Sequence, residues 1–99
     1  FEEPMESLLF VDDERNILSS LRRLFRSLGY TIYVAESGMA GLEILKRHPI
    51  DLVISDMRMP EMDGAAFLEQ VEQLYPETVR LLLTGFSDIA SARRWRRKS

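Results

Sequence analysis

The chain alternates between short unbroken apolar runs and longer stretches in which apolar residues recur every three or four positions. Leu8 to Val11, "LLFV", is a continuous run of strand length, the pattern of a strand buried on both faces of a parallel sheet. From Glu14 the period changes. Ile17, Leu18, Leu21, Leu24, Phe25 and Leu28 recur at helical spacing, and Gly29 stands where a helix C-terminal cap is wanted. The same succession follows at once: "YTIYVA" (30–35) is rich in β-branched and aromatic residues, and "SGMAGLEILKRHP" reads as a helix capped by Ser37 and stopped at Pro49.

A third strand, "IDLVISD" (50–56), ends on an acid. After the turn "MRMPEMDG", the residues Phe67, Leu68, Val71, Leu74 and Tyr75 form one helical stripe up to Pro76. "TVRLLLTG" (78–85) reads as a fourth strand, and "SDIASARRWRRKS" as a last helix with Ser87 or Asp88 near its cap. Four strands alternating with four helices through short turns predict an α/β fold: a doubly wound parallel sheet with helices on both faces. No linker, low-complexity tract or further repeat interrupts the alternation.

Composition narrows the picture. At 99 residues the chain holds one domain at most, and 45% apolar with 29% charged residues is ordinary for a folded globular chain. Without cysteine there is no disulfide framework and no thiolate metal site, which fits a reducing cytoplasm. No apolar run approaches the roughly 18 residues of a membrane span, and the acidic start "FEEPMES" is unlike a signal peptide, so a soluble chain with no membrane partner is expected. Residues 1–92 hold eight Lys/Arg against all 16 Asp/Glu, a net of −8, whereas residues 93–99 add five positive charges and no acid. An acidic body argues against a nucleic-acid-binding surface for this domain. The end, "RRWRRK", is read either as a solvated terminus or as a stacking and phosphate-neutralising tail.

In open parallel sheets, ligands bind outside the carboxyl ends of the strands. Asp12 and Asp13 follow the first strand, Asp56 ends the third and Thr84 the fourth, so all four are expected at one edge. Converging carboxylates raise one another's pKa and need protons or a cation. A helix N-terminus offsets only about 0.3–1 kcal/mol of that repulsion. Mg²⁺, which takes one or two carboxylates together with phosphate oxygens and water, is the stronger answer. Met57, Met59 and Met62 are read as loop packing, since thioethers are poor ligands for hard cations, and His48 as a solvated residue at a helix end.

Together, "VDDE" after the first strand, "DMRMPEMDG" after the third and "LLTG" at the end of the fourth resemble the receiver (phosphoacceptor) domain of two-component response regulators, in order from about Leu8 to Ala92. The resemblance implies a flavodoxin-like, CheY-like sheet of order 2-1-3-4 and a phosphorylation-dependent signalling switch in a bacterial phosphorelay. Asp56 would take a phosphoryl group from a sensor histidine kinase or phosphotransfer protein. Asp13 and Asp56 would bind Mg²⁺ directly, with the backbone carbonyl of Arg58 as a third ligand and Asp12 acting through water. Thr84 would be the switch residue. Pro60, which fixes φ, and Gly64, which can take conformations closed to other residues, would shape the loop after Asp56, and Arg58 and Phe86 would flank its entrance. Such a domain is a phosphoacceptor with self-catalysed transfer and dephosphorylation, rather than an enzyme acting on other molecules.

The chain departs from this pattern at its end. The family's fifth strand and helix, with the lysine that follows that strand, have no counterpart, and Lys98 is not assigned that role. The reading is therefore a receiver domain over 1–92, incomplete at its C-terminus, and a basic tail over 93–99. Losing the last strand would leave the fourth at an edge, where "VRLLL" offers unpaired backbone groups to another chain. A fragment of a longer protein carrying an effector domain, or a homo-oligomer formed through that edge, would each account for it. Two other functions stay open: a signalling-impaired receiver serving as a binding module, and an aspartyl-phosphate phosphatase. The phosphatase would want an acid two positions beyond its nucleophile, and position 58 is arginine.

Overall fold

A computed structural model describes residues 6–83 of the chain. They form β1 (Ser7–Val11), α1 (Arg15–Ser27), β2 (Thr31–Ala35), α2 (Gly38–Arg47), β3 (Leu52–Asp56), α3 (Gly64–Leu74) and β4 (Val79–Leu83). The strands make one parallel sheet of order β2-β1-β3-β4. The expected helix over 87–99, the boundary at residue 92 and the basic tail lie outside the described residues.

The two apolar cores follow from the period-2 alternation of the strands. Leu9 and Val11 point to one face, where they meet Val53, Phe67, Leu68, Val71 and Leu82 beneath α2 and α3. Leu8 and Phe10 point to the other and pack with Leu18 of α1, joined by half-buried Leu21, Phe25, Leu52 and Ile54. β1 is apolar at every core position because both of its faces are covered. β3 and β4 alternate instead, their α1-side residues only half-buried. Among the described residues, β4 has a single hydrogen-bonded neighbour, β3.

Local chemistry sets the ends of the helices. Gly29 takes φ +97° after α1, a conformation that disfavours L side chains. Ser37 caps α2 by accepting from the Ala40 N–H at 3.1 Å, and Asp63 caps α3 by accepting from the Ala66 N–H at 2.8 Å. His48 ends α2 as an exposed residue and stacks on Tyr33 with ring centroids 4.5 Å apart.

Periodicity overstated the apolar faces at several positions. Ile17, Leu24 and Leu28 are exposed although they share the helical spacing of α1, because that helix lies mainly over β2 and β1 and not over β3. Leu74, placed by spacing on the α3 stripe, is 60% exposed at the helix end. The strand "VRLLL" hides a cation: Arg80 is buried on the α3 side, its Nη1 donating to the Thr78 carbonyl at 2.7 Å.

Candidate functional site

The carboxyl end of β1 delivers Asp12 and Asp13, and the carboxyl end of β3, its neighbour in the sheet, delivers Asp56. Each of the three offers a carboxylate oxygen within 4.8 Å of the other two, Asp12 and Asp56 half-buried and Asp13 exposed. The expected convergence of acids is therefore present. Thr84, Phe86 and Lys98 lie outside the described residues.

Backbone donors orient two of these carboxylates in the same way. Asp12 Oδ1 accepts from the Glu14 N–H at 2.9 Å, and Asp56 Oδ2 accepts from the Arg58 N–H at 3.2 Å. Both are i to i+2 contacts that fold the chain back as it leaves a strand. The Asp12 N–H continues the sheet by donating to the Ala35 carbonyl, and the Met57 N–H does so by donating to that of Leu83. Glu14 occupies the N-cap position of α1 with extended backbone and makes no side-chain cap, so the helix itself opens at Arg15.

Electrostatically the cluster is frustrated. Burial raises the pKa of Asp12 above the usual carboxylate range, the N–H of Glu14 partly opposes this, and the charges of Asp56 and Asp13 raise it further. Hard oxygen donors crowded at this spacing are the donor set that Mg²⁺ accepts. Both the composition of the cluster and its strain therefore fit a divalent cation.

The loop after Asp56 is built by close packing. Gly64 was expected to supply an unusual backbone angle; its φ is not positive, and what it supplies is space. A Cβ there would collide with the Asp56 carbonyl oxygen and approach Leu82 Cδ1 to 2.7 Å and Met57 Cα to 2.9 Å. The Gly64 N–H donates to the Met57 carbonyl at 2.9 Å, closing the loop. The left-handed angle falls on Glu61 instead, at φ +71°. Met59 is buried, and Met57 and Met62 pack against the same core, as their apolar character suggested. Asp63, whose capping role went unread in the sequence, was legible as an acid one residue before a helix of good formers.

A parallel 2-1-3-4 sheet with an acid cluster outside the ends of β1 and β3 defines a class of α/β domain that binds its ligand at the strand edge. The family model for the response regulator receiver domain matches residues 8–97. The chain belongs to that family: it is a receiver domain in its sequence and its fold. It is 41% identical over 85 residues to the transcriptional regulatory protein GlrR of Escherichia coli, covering 86% of this chain and 19% of GlrR. It is 35% identical over 89 residues to the sensor kinase CckA of Brucella abortus, covering 88% of this chain and 9% of CckA. The chain thus spans about a fifth or less of the length of these curated relatives.

Solved structures agree. The signal receiver domain of an HD domain-containing protein from Pseudomonas fluorescens superposes with a TM-score of 0.81 at 36% identity, covering 95% of this chain and 78% of that one. The response regulator TrrA of Thermotoga maritima, solved in complex with Mg²⁺ and beryllofluoride, superposes with a TM-score of 0.78 at 34% identity, covering 84% of this chain and 72% of that one.

Proposed function

We propose that this receiver domain is a phosphorylation-dependent switch in which Asp56 accepts a phosphoryl group from the phosphohistidine of a sensor kinase or phosphotransfer protein. The observation that carries the reading is the convergence of Asp12, Asp13 and Asp56 within 4.8 Å at one sheet edge. Asp13 and Asp56 would hold Mg²⁺ together with the Arg58 carbonyl, and Asp12 would assist through water. The Mg²⁺ in complex with which TrrA was solved supports this assignment. Bound there, the cation supplies neutralisation of phosphoryl charge.

The chain's own residues do the rest. An Asp56 carboxylate oxygen attacks phosphorus; the new P–O bond forms as the P–N bond breaks, and the departing electron pair stays on the imidazole nitrogen. The product is an acyl phosphate. The Arg58 N–H holds the carboxylate in place for attack, so the protein contributes positioning more than proton transfer. Asp12 and Asp13 exclude a second anion until a cation is present. The Thr84 hydroxyl then moves toward the phosphoryl oxygens, and that movement passes to an effector domain through β4 and the segment after it.

The domain would work in a bacterial cytoplasm and act as a phosphoacceptor, not as an enzyme on other substrates. Among the described residues, no helix is long and apolar enough to cross a membrane. A second copy of the chain is the proposed neighbour of β4, supported by the half-buried Leu81 and Leu83 on a strand paired from one side among the described residues.

Treatment with acetyl phosphate and Mg²⁺, followed over time, separates the functions. Stable labelling of Asp56 with slow loss supports the switch. Rapid multiple turnover supports an aspartyl-phosphate phosphatase, and absence of labelling supports a binding module without phosphorylation.

A further inference from the structure

Helix α1 differs in charge from everything around it. From Arg15 to Ser27 it holds four arginines and no acid, whereas the rest of residues 6–83 carry 13 Asp/Glu against four Lys/Arg. Ser19 stands in the middle of these cations. Arg15 precedes it by four positions, Arg22 and Arg23 follow at three and four, and Arg26 continues the same stripe one turn further on. Ser19, Arg22, Arg23 and Arg26 line an open depression of about 290 Å³.

Neither the hydroxyl nor the cations are engaged. Ser27 Oγ donates to the Leu24 carbonyl at 2.7 Å, Ser55 Oγ donates to that of Asp56 at 2.9 Å, and Ser37 Oγ accepts from the Ala40 N–H. Ser19 is exposed, and its hydroxyl takes part in no hydrogen bond among the described residues. Arg15 Nε contacts Glu36 Oε2 at 3.0 Å, but Arg22, Arg23 and Arg26 are exposed and take part in no ion pair among the described residues. Arg22 and Arg26 repel at i, i+4, and a guanidinium cannot relieve that by losing its proton.

An anion fixed at position 19 answers both. A phosphoryl group on serine carries a charge of about −1.5 to −2 at neutral pH and three strong acceptor oxygens. At i+3 and i+4 the forks of Arg22 and Arg23 are placed to meet those oxygens in charge-assisted pairs. A free phosphate at so open a surface is screened by salt and gives up its own freedom on binding, whereas a phosphate on Ser19 is already tethered among the arginines. We propose that Ser19 is a phosphorylation site of a serine kinase and that the phosphoserine is clasped by Arg22 and Arg23, with Arg26 beside them. In the step, Ser19 Oγ attacks the γ-phosphorus of a nucleoside triphosphate held by the kinase. The Oγ–P bond forms as the bond to the bridging oxygen breaks, the electron pair leaves on the nucleoside diphosphate, and the hydroxyl proton passes to the kinase's base. The charge of the arginine row is thereby roughly halved. This modification is separate from the phosphoacceptor chemistry and does not require Asp56.

Two measurements test it. Phosphopeptide mapping of the protein recovered from growing and from starved cells that make it, after hydroxylamine has removed any acyl phosphate, is expected to find phosphate on Ser19. Asp56→Asn should carry it as the wild type does, which keeps this result distinct from failure of the phosphoacceptor reading. The clasp is read on the whole chain with phosphoserine installed at position 19. Its Tm should exceed that of the unmodified chain by roughly 4 °C or more at low salt and by less as salt is added. The second pKa of the phosphoserine, followed by ³¹P resonance, should fall below its ordinary value of about 6. Both effects should be lost in Arg22→Gln/Arg23→Gln. They should be weaker for phosphoserine at position 20, which has Arg23 at i+3 but Leu24 at i+4. Inorganic phosphate added to the unmodified chain should not reproduce the Tm rise. Absence of phosphate from Ser19 in both sets of cells would overturn the proposal. So would equal effects at positions 19 and 20, effects that survive replacement of the arginines, or an equal Tm rise with inorganic phosphate.

Discussion

Gly64 lies directly against the backbone of Asp56, so closely that any side chain at position 64 would strike the Asp56 carbonyl oxygen. The start of α3 is thereby tied to the end of β3, and the placement of Asp56 depends on a missing methyl group. Gly64→Ala forces backbone apart rather than a flexible side chain, and overpacking of this kind costs about 3 kcal/mol. A Tm lowered by roughly 10 °C or more is expected, together with slower labelling of Asp56. Gly29→Ala is the control. It has open space around it but a positive φ, so it should cost about 1 kcal/mol and leave labelling unchanged.

Glu61 carries φ +71° in the same loop, a conformation that Asn and Gly tolerate better. Glu61→Gly is expected to be neutral or to stabilise by up to about 1 kcal/mol, the relief of strain being partly cancelled by the entropy of the unfolded chain. Urea denaturation checks it, and a loss above that size would show that the Glu61 side chain holds the loop.

The two helix caps separate stability from chemistry. Ser37→Ala and Asp63→Ala each remove one side-chain acceptor from a helix N-terminus and should each cost about 1 kcal/mol. Because α3 begins against Asp56, Asp63→Ala should also slow phosphorylation. Ser37→Ala should not.

Asp12 gives a pH dependence with a definite sign. Its pKa is raised in the fold by burial and by the neighbouring carboxylates, so folding favours its protonated form. That contribution is fully present below the ordinary Asp value near 3.9 and is lost as pH rises through the elevated one. In chelator, Asp12→Asn, which keeps an oxygen for the Glu14 N–H, should match the wild type at low pH. It should be more stable than the wild type near neutrality, by a margin that solvent screening of this half-buried group keeps small. Thermal unfolding across pH in EDTA measures the gap, and Mg²⁺ should narrow or invert it by stabilising the wild type.

The side of β4 left unpaired among the described residues predicts association. If a second copy covers it, sedimentation should show mass rising with concentration, and Leu81→Lys should restore the monomer, since inserted charge is what edge strands use to resist pairing. A chain that stays monomeric across micromolar concentrations would contradict this.

How far the sequence carried depended on how local each cause was. The strands, the three described helices, Gly29 as a terminator and Ser37 as a cap follow from period and capping chemistry within a few residues. The convergence of Asp12, Asp13 and Asp56 needed only the rule that parallel strands deliver their carboxyl ends to one edge. Contacts between distant segments were not legible. The exposure of Leu24 and Leu28 depends on where α1 lies across the sheet, and the burial of Arg80 on which face of β4 turns to α3. The role of Gly64 depends on a carbonyl eight residues earlier, and sequence alone suggested an unusual angle where the structure needs room.

The central claim is that the acid cluster exists to carry a cation-dependent phosphoryl group on Asp56. Mass spectrometric mapping after acetyl phosphate treatment, with and without Mg²⁺, tests it in the wild type, Asp13→Asn and Asp56→Asn. The account predicts one phosphoryl group on Asp56 only when Mg²⁺ is present, strongly reduced in Asp13→Asn and absent in Asp56→Asn. Labelling that is indifferent to Mg²⁺, or that persists at full yield in Asp56→Asn, would contradict it.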